Sequence, residues 1–186
     1  YVLYTGGTTG MPKGVLWRQH DIFMASFGGR NAMTGEPAQS AQEIVDRASA
    51  AGEMRMMILP PLMHGAAQWG VMTGINNGQT IVFAKDVESF NAKEIVETIA
   101  REKIAIATVV GDAMARPLVS AIEEALADGS HDPTSLVVVA NGGALFTPAV
   151  KGRLVAALPN AMVIDGVGAS ETGAQMSHVS TKANVS

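Results

Sequence analysis

The chain opens with Tyr1-Val2-Leu3-Tyr4-Thr5-Gly6-Gly7-Thr8-Thr9-Gly10-Met11-Pro12-Lys13-Gly14-Val15-Leu16-Trp17. Two apolar runs, 1–4 and 14–17, flank a loop made of glycine and threonine. The loop has no room for a crossover helix, so the runs are expected to pair as antiparallel strands. It is also longer than the usual hairpin loop of about two to five residues, and long loops are more often functional.

From Tyr4 to Gly14 there are four glycines, three threonines and one lysine. Small residues let backbone amides turn onto an anion, threonine hydroxyls add donors and lysine adds charge. That combination suits a triphosphate, the plainer alternative being a flexible hairpin with an incidental lysine. The common loop Gly-x-x-x-x-Gly-Lys-Ser/Thr is not matched. Gly14 follows Lys13 instead of preceding it, and a strand follows where a helix should start.

Downstream, apolar runs at 54–59, 80–83, 104–110, 136–140 and 161–165 read as strands separated by helical patterns. Asn91 and Glu94 form a capping box ahead of Ile95 and Ile99. Asp112 is expected to cap a helix carrying Leu118, Ile122 and Leu126, which Gly129 ends. Thr147-Pro148 reads as an N-cap and a first-turn proline, followed by Val150, Leu154 and Leu158. The expected fold class is α/β: a mostly parallel sheet flanked by helices, with an antiparallel strand pair around the glycine-rich loop. Residues 28–40, rich in Gly, Asn, Pro, Thr and Ser, read as a mobile surface loop. In such sheets ligands gather beyond the carboxyl ends of the strands.

Composition narrows the partners. With 47% hydrophobic and 16% charged residues, the chain has material for a packed core and an excess of apolar surface. A net charge of −4 without a basic cluster argues against a nucleic-acid groove. The absence of cysteine excludes disulfides, thiolate nucleophiles and Cys-ligated zinc. No apolar run reaches the roughly 18 residues of a membrane span and no signal-peptide pattern is visible, so a soluble, cytoplasmic protein is the default expectation. A start at Tyr1, directly on a strand, reads as a piece of a longer chain.

Three further segments carry chemistry. Asp165-Gly166-Val167-Gly168-Ala169-Ser170-Glu171-Thr172-Gly173 approaches the dinucleotide pattern Gly-x-Gly-x-x-Gly but has Glu171 at its sixth position. A carboxylate there repels a pyrophosphate unless a divalent cation intervenes, so an NAD-dependent oxidoreductase is disfavoured. A metal–nucleotide site fits, with Glu171 as a ligand of Mg²⁺ and Ser170 donating to a phosphate oxygen. The plainer reading is a glycine turn with Glu171 in the first turn of a helix. Ala140-Asn141-Gly142-Gly143-Ala144-Leu145 permits close backbone approach, or is simply a strand-to-helix turn. Pro60-Pro61-Leu62-Met63-His64-Gly65 holds a single histidine among apolar residues, a setting more often structural than functional. His20, His131 and His178 have no metal-ligand spacing. Of the 11 methionines, Met54, Met56, Met57, Met63 and Met72 fall near this segment, where core filling is the better reading for most.

In this order the motifs resemble the adenylate-forming superfamily of acyl-CoA synthetases, firefly-type luciferases and peptide-synthetase adenylation domains. The match to an aromatic residue followed by Thr/Ser-Ser-Gly-Thr-Thr-Gly-x-Pro-Lys-Gly runs nearly unbroken from Tyr4 to Val15, with Gly6 where most members have Ser. The family's Tyr-Gly-x-Thr-Glu is matched by Gly168, Ser170 and Glu171, with Ser for Thr and Val167 for a tyrosine that stacks on adenine. Residues 140–145 are similar to Ser-Gly-Ala-Ala-Pro-Leu and residues 60–65 to Pro-Leu-Phe-His.

The resemblance implies that Thr5, Gly6, Gly7, Thr8, Thr9, Gly10 and Lys13 bind the ATP phosphates. It places Gly142, Gly143, Ala144, Asp165, Gly166, Val167, Gly168 and Ser170 around adenine and AMP, Glu171 on magnesium, and Met63, His64 and Gly111 at the acyl substrate. It implies no catalytic residue within the chain, because the lysine needed for adenylation belongs to a mobile C-terminal domain. Residues 1–186 then form a fragment of the AMP-binding (adenylation) domain, with its N-terminal part and the C-terminal lysine domain outside. The implied reaction activates a carboxylic acid with MgATP and transfers the acyl group to CoA. Trp17-Arg18 and residues 111–117 look like an actinobacterial subgroup acting on fatty acids or steroid side chains. Two alternatives stay open: a stand-alone nucleotide-binding module without ligase activity, and a peptide-synthetase domain with Asp112 holding a substrate amino group.

Overall fold

Side-chain alternation along β3 (Arg55–Ile58) divides the molecule into two faces. Met57 enters a core with Ala107, Val109, Val139 and Val163, whereas Met56 and Ile58 pack with Ala67, Val71, Ile81 and Ile106. The computed structural model describes residues 1–6, 10–31 and 34–185. Its principal sheet has six strands in the order β4 (Thr80–Val82), β3, β5 (Ile106–Val109), β6 (Val138–Gly142), β7 (Met162–Ala169) and β8 (Gly173–Ser180). All neighbours are parallel except β7 and β8, which are antiparallel. A separate antiparallel pair joins β1 (Val2–Thr5) to β2 (Lys13–Leu16), with Thr5 opposite Lys13. The mostly parallel sheet and the antiparallel pair both agree with the sequence.

The larger core lies under α4 (Ala92–Glu102), α5 (Gly111–Asp128) and α6 (Pro148–Ala157). Ile95, Ile99, Leu118, Ile122, Val150 and Leu154 are buried there to 1% exposure or less, as their helical spacing predicts. The opposite face carries α3 (Gly65–Asn76), with α1 (Gln19–Ser26) and α2 (Ala41–Ala50) packed against it. The strand order turns back between β3 and β5, which creates a switch point at their carboxyl ends. Met56 and Met57 are core residues, as expected for most of that methionine group. Within 28–40, the described residues are hydrogen-bonded: Arg30 bridges Pro37, and Asn31 N–H donates to Glu36.

Several local expectations change. The Asn91 side chain accepts from the Glu94 amide at 3.2 Å, but the Glu94 carboxylate accepts from Lys85 N–H and the Thr98 hydroxyl, so the capping box is one-sided. β6 runs on through Asn141 and Gly142, and β7 through Ala169. The glycine segment 165–169 is therefore extended strand, not a turn after one, because β8 pairs with it throughout. Glu171 sits in the β7–β8 turn, not in a helix.

Asp112 does not cap its own helix, whose N-cap is Val110. Its carboxylate accepts instead from the backbone N–H (2.9 Å) and hydroxyl (2.8 Å) of Thr147, and from Arg116 at 2.6 Å. The Thr147 amide first, together with the Thr147 hydroxyl and Arg116, holds the Asp112 carboxyl below the usual carboxylate range. Gly111 adopts φ +57, and a Cβ there would lie 2.7 Å from both Ala144 Cβ and Leu145 O. α5 is thus locked to the segment entering α6.

Two outcomes follow from these contacts. Asp112→Ala is expected to cost about 1–2 kcal/mol at neutral pH, read from thermal melts. Because the folded-state pKa is lowered, the Asp112 contribution is present above the unfolded pKa of about 4 and lost as pH falls through the folded value. The melting gap should therefore close towards acid, and a gap independent of pH would contradict this role. Gly111→Ala is expected to cost about 2–4 kcal/mol, combining left-handed backbone with overpacking. At Gly129, with φ +69 and open space for a Cβ, alanine should cost only about 1 kcal/mol.

Candidate functional site

The β1–β2 hairpin is tied to the segments that follow β3 and β7. The hairpin is held by Leu3, whose Cδ2 would lie 2.7 Å from a Cβ on Gly65, and by the Tyr1 hydroxyl, which donates to Gln68 at 2.6 Å. The Tyr1 ring meets Phe27 edge-on with centroids 5.3 Å apart. At the far side, the Trp17 indole N–H donates to the Ser170 carbonyl at 2.8 Å. This bond brings the hairpin against the β7–β8 turn.

On the hairpin, Thr5 and Lys13 face each other across the mouth of the loop, and the Thr5 hydroxyl donates to Lys13 O at 3.4 Å. Gly6, Gly10 and Lys13 are exposed. A Cβ on Gly6 would meet nothing within 4 Å, so the glycine in place of serine is not a steric requirement of this chain. Gly7, Thr8 and Thr9 lie outside the described residues.

The two segments assigned to adenine and AMP are neighbours in the sheet. Asn141 is opposite Asp165 and Gly142 is opposite Gly166. The Asn141 side chain is buried and ties three chain segments together. Its Oδ1 accepts from Gly111 N–H at 2.7 Å, and its Nδ2 donates to Ala144 O at 3.0 Å and to Asp165 Oδ1 at 2.9 Å. Asp165 Oδ2 meets the ammonium of Lys151 at 2.5 Å, and the Lys151 side chain is only 7% exposed. Removing one partner of such a buried pair generally costs about 3–5 kcal/mol. Gly143 reaches φ +82 just beyond, leaving Ala144 and Leu145 exposed at the rim.

Val167 is 55% exposed, and its cross-strand partner Met176 is 68% exposed. Together they form an apolar surface on which a flat base can rest, without the stacking energy of an aromatic ring. Gly168 leaves no space for a side chain, since a Cβ would lie 2.4 Å from Gly173 O. Ser170 is half-buried and Glu171 exposed at the adjoining turn. Among the described residues, no group of three or more His, Asp or Glu side chains could hold a metal alone. A cation at Glu171 would therefore take one carboxylate plus phosphate and water oxygens, the usual manner of magnesium. Glu171 fits that role.

The acyl-site candidates lie at the β3–β5 switch point. Met63 and His64 are exposed ahead of α3, with His64 as its N-cap residue and no side-chain cap bond. Gly111 opens α5 but is buried against Ala144, so its contribution is backbone geometry, not an exposed wall. The Asp112 carboxylate is engaged by Thr147 and Arg116, which any substrate amine would have to compete with. The sequence pattern assigns no site role to Asn141, Lys151 or Met176, and Trp17 carries there only the subgroup likeness. A polar residue at the end of an apolar strand was the available signal for Asn141; Lys151 in an apolar helical stripe gave none.

None of the helices in the described residues is long and apolar enough to cross a membrane. The medium-chain acyl-CoA ligase Mig of Mycobacterium avium is 68% identical over 181 residues, which cover 97% of this chain and 32% of that protein. A medium/long-chain-fatty-acid–CoA/3-oxocholest-4-en-26-oate–CoA ligase of Mycobacterium tuberculosis (strain ATCC 25618 / H37Rv) is 42% identical over 173 residues, covering 93% of this chain and 30% of that protein. The chain thus spans about a third of the length of these curated relatives. Among solved structures, the N-terminal subdomain of Klebsiella oxytoca NpsA, in complex with 3-hydroxybenzoyl-AMSN, superposes with a TM-score of 0.70 at 18% identity. That likeness covers 100% of this chain and 41% of the other, and it shows a common fold. The pattern of the AMP-binding enzyme family matches residues 1–185, and the chain belongs to that family.

Proposed function

We propose that the chain supplies the nucleotide-binding surface of an ATP-dependent acyl-CoA ligase that activates a fatty acid or a steroid side-chain carboxylate. The observation that carries this reading is the Trp17–Ser170 hydrogen bond, which sets the Lys13 hairpin beside the turn bearing Glu171. The ligase names of the mycobacterial relatives support the acid and the CoA acceptor.

In this reading the carboxylate oxygen of the acid attacks the α-phosphorus of ATP. A mixed acyl–phosphate anhydride bond forms, the bond from the α-phosphorus to the oxygen bridging to the β-phosphate breaks, and pyrophosphate leaves. The CoA thiol then attacks the acyl carbonyl, the thioester forms, AMP leaves with the bonding electrons, and the thiol proton passes to solvent. Lys13, Thr5, Gly6 and Gly10 bind the β- and γ-phosphates, together with Gly7, Thr8 and Thr9 of the same motif. Ser170 donates to the α-phosphate. Glu171 would hold Mg²⁺, which supplies charge neutralisation at the phosphates. Gly142, Gly143, Ala144, Gly166 and Gly168 let the backbone close on adenine, Val167 packs on its face, and Asp165 sets the edge of that pocket. Met63 and His64 line the entrance for the acyl chain, while Gly111 shapes its wall through the backbone. Catalysis here is positioning and electrostatics, and the lysine that completes adenylation lies in another part of the polypeptide.

A stand-alone nucleotide-binding module is disfavoured by the ligase relatives, and a peptide-synthetase role by those relatives and by the engagement of the Asp112 carboxylate with Thr147 and Arg116.

Lys13→Ala is expected to weaken MgATP binding by about 10- to 100-fold, the worth of one charge-assisted contact. Glu171→Gln should abolish the advantage of MgATP over metal-free ATP in calorimetric titration, and an unchanged magnesium dependence would count against the reading. The 186-residue chain by itself is expected to give no carboxylate-dependent pyrophosphate release. Robust release would overturn the assignment of the missing lysine.

A further inference from the structure

The turn that carries Glu171 is gripped from both sides by the stretch of chain that immediately follows the Lys13 hairpin. On one side the Trp17 indole donates to Ser170 O at 2.8 Å. On the other, the Ser26 hydroxyl oxygen at the end of α1 accepts from Ala174 N–H at 3.1 Å. Ser26 is itself fixed, because its carbonyl accepts from the Thr73 hydroxyl at 2.8 Å. Between the two ties, Gly173 takes φ +73, and a Cβ there would lie 2.7 Å from Ala25 Cβ and 2.8 Å from Ser26 Oγ. Within the turn, Thr172 N–H donates to Ala169 O at 3.0 Å. Trp17 is anchored at its own backbone as well, its N–H donating to Tyr1 O at 2.9 Å.

We infer that Trp17 is a positioning residue that sets the spacing between the Lys13 hairpin and the Glu171 turn, and thereby makes the site selective for a metal-bound nucleoside triphosphate over the monophosphate. The inference rests on the nucleotide reading above. The physical argument is one of span. A triphosphate with its cation touches the hairpin through its terminal phosphates and the turn through the metal, so it registers the distance between them. A monophosphate touches the turn and the adenine segments but does not reach the hairpin. Ser170, which meets the α-phosphate of both nucleotides, stays placed on the adenine segments by the β7–β8 ladder, so losing the indole donor penalises the spanning ligand above all. Because the indole meets a backbone carbonyl and no ligand, its effect acts through the placement of the Lys13 hairpin relative to the turn.

The test is an equilibrium titration with MgATP and with AMP, on the natural polypeptide that carries this chain, in wild-type and Trp17→Phe forms. Phenylalanine keeps a ring and removes the N–H donor. MgATP affinity is expected to fall about three- to tenfold, the usual worth of one hydrogen bond, while AMP affinity changes by less than about twofold. Equal losses for both nucleotides, or a lowered Tm with the affinity ratio intact, would overturn the inference. Ser26→Ala cuts the second tie without touching the hairpin and provides the same readout if Trp17→Phe does not fold. Failure of the nucleotide reading itself would look different: wild-type protein would bind ATP equally with and without magnesium, or would not respond to Glu171→Gln.

Discussion

A single buried amide, the side chain of Asn141, holds together the parts of the chain on which the site depends. Asn141 ends an apolar strand, where an unpaired polar group is costly, and each of its hydrogen-bonding atoms is used. It satisfies the N–H of Gly111, which begins α5 in a left-handed conformation with no α-helical partner. It also fixes Ala144 and Asp165, so the start of α5, the rim after β6 and the middle of β7 share one origin. The Lys151–Asp165 pair extends this anchor into α6, and the Asp112–Thr147 contact closes the loop between α5 and α6. A polar network of this kind is stabilising only when every member is satisfied, which explains why Lys151 is tolerated deep in an otherwise apolar helix face.

The hairpin is attached to this frame by fewer bonds. Among the described residues its two strands pair with each other, and beyond Trp17 its hold comes from Leu3 on Gly65 and from Tyr1 on Gln68 and Phe27. Tyr4, Met11 and Leu16 are exposed on it, and Met63 and Leu145 on the neighbouring rim. The Glu171 turn is the reverse case, clamped on both sides and opposed by a glycine that cannot be replaced without collision.

Much of the architecture is legible along the chain. The apolar runs of β3, β5 and β7 announce buried parallel strands, and the Asn91 and Thr147-Pro148 signals start α4 and α6 where expected. β8 escapes notice because Gly173-Ala174-Gln175-Met176-Ser177-His178-Val179-Ser180 has no apolar run; as an edge strand it needs none. For the same reason the glycines of 165–169 look like a turn when β8 in fact draws them into a ladder. Asp112 sits where a cap belongs, yet a partner from residue 147 takes its carboxylate.

The sequence by itself determined the α/β class, the antiparallel pair around the glycine-rich loop, and the residue types suited to a metal-bound nucleotide. Those features follow from periodicity, turn chemistry and donor content, all of which act within a few residues. Only the tertiary structure decided that Trp17 meets Ser170, that Lys151 meets Asp165, and that Asn141 serves three segments. Such partners are chosen by which strands and helices pack together, and the free energy of that packing is not contained in any local stretch of the chain.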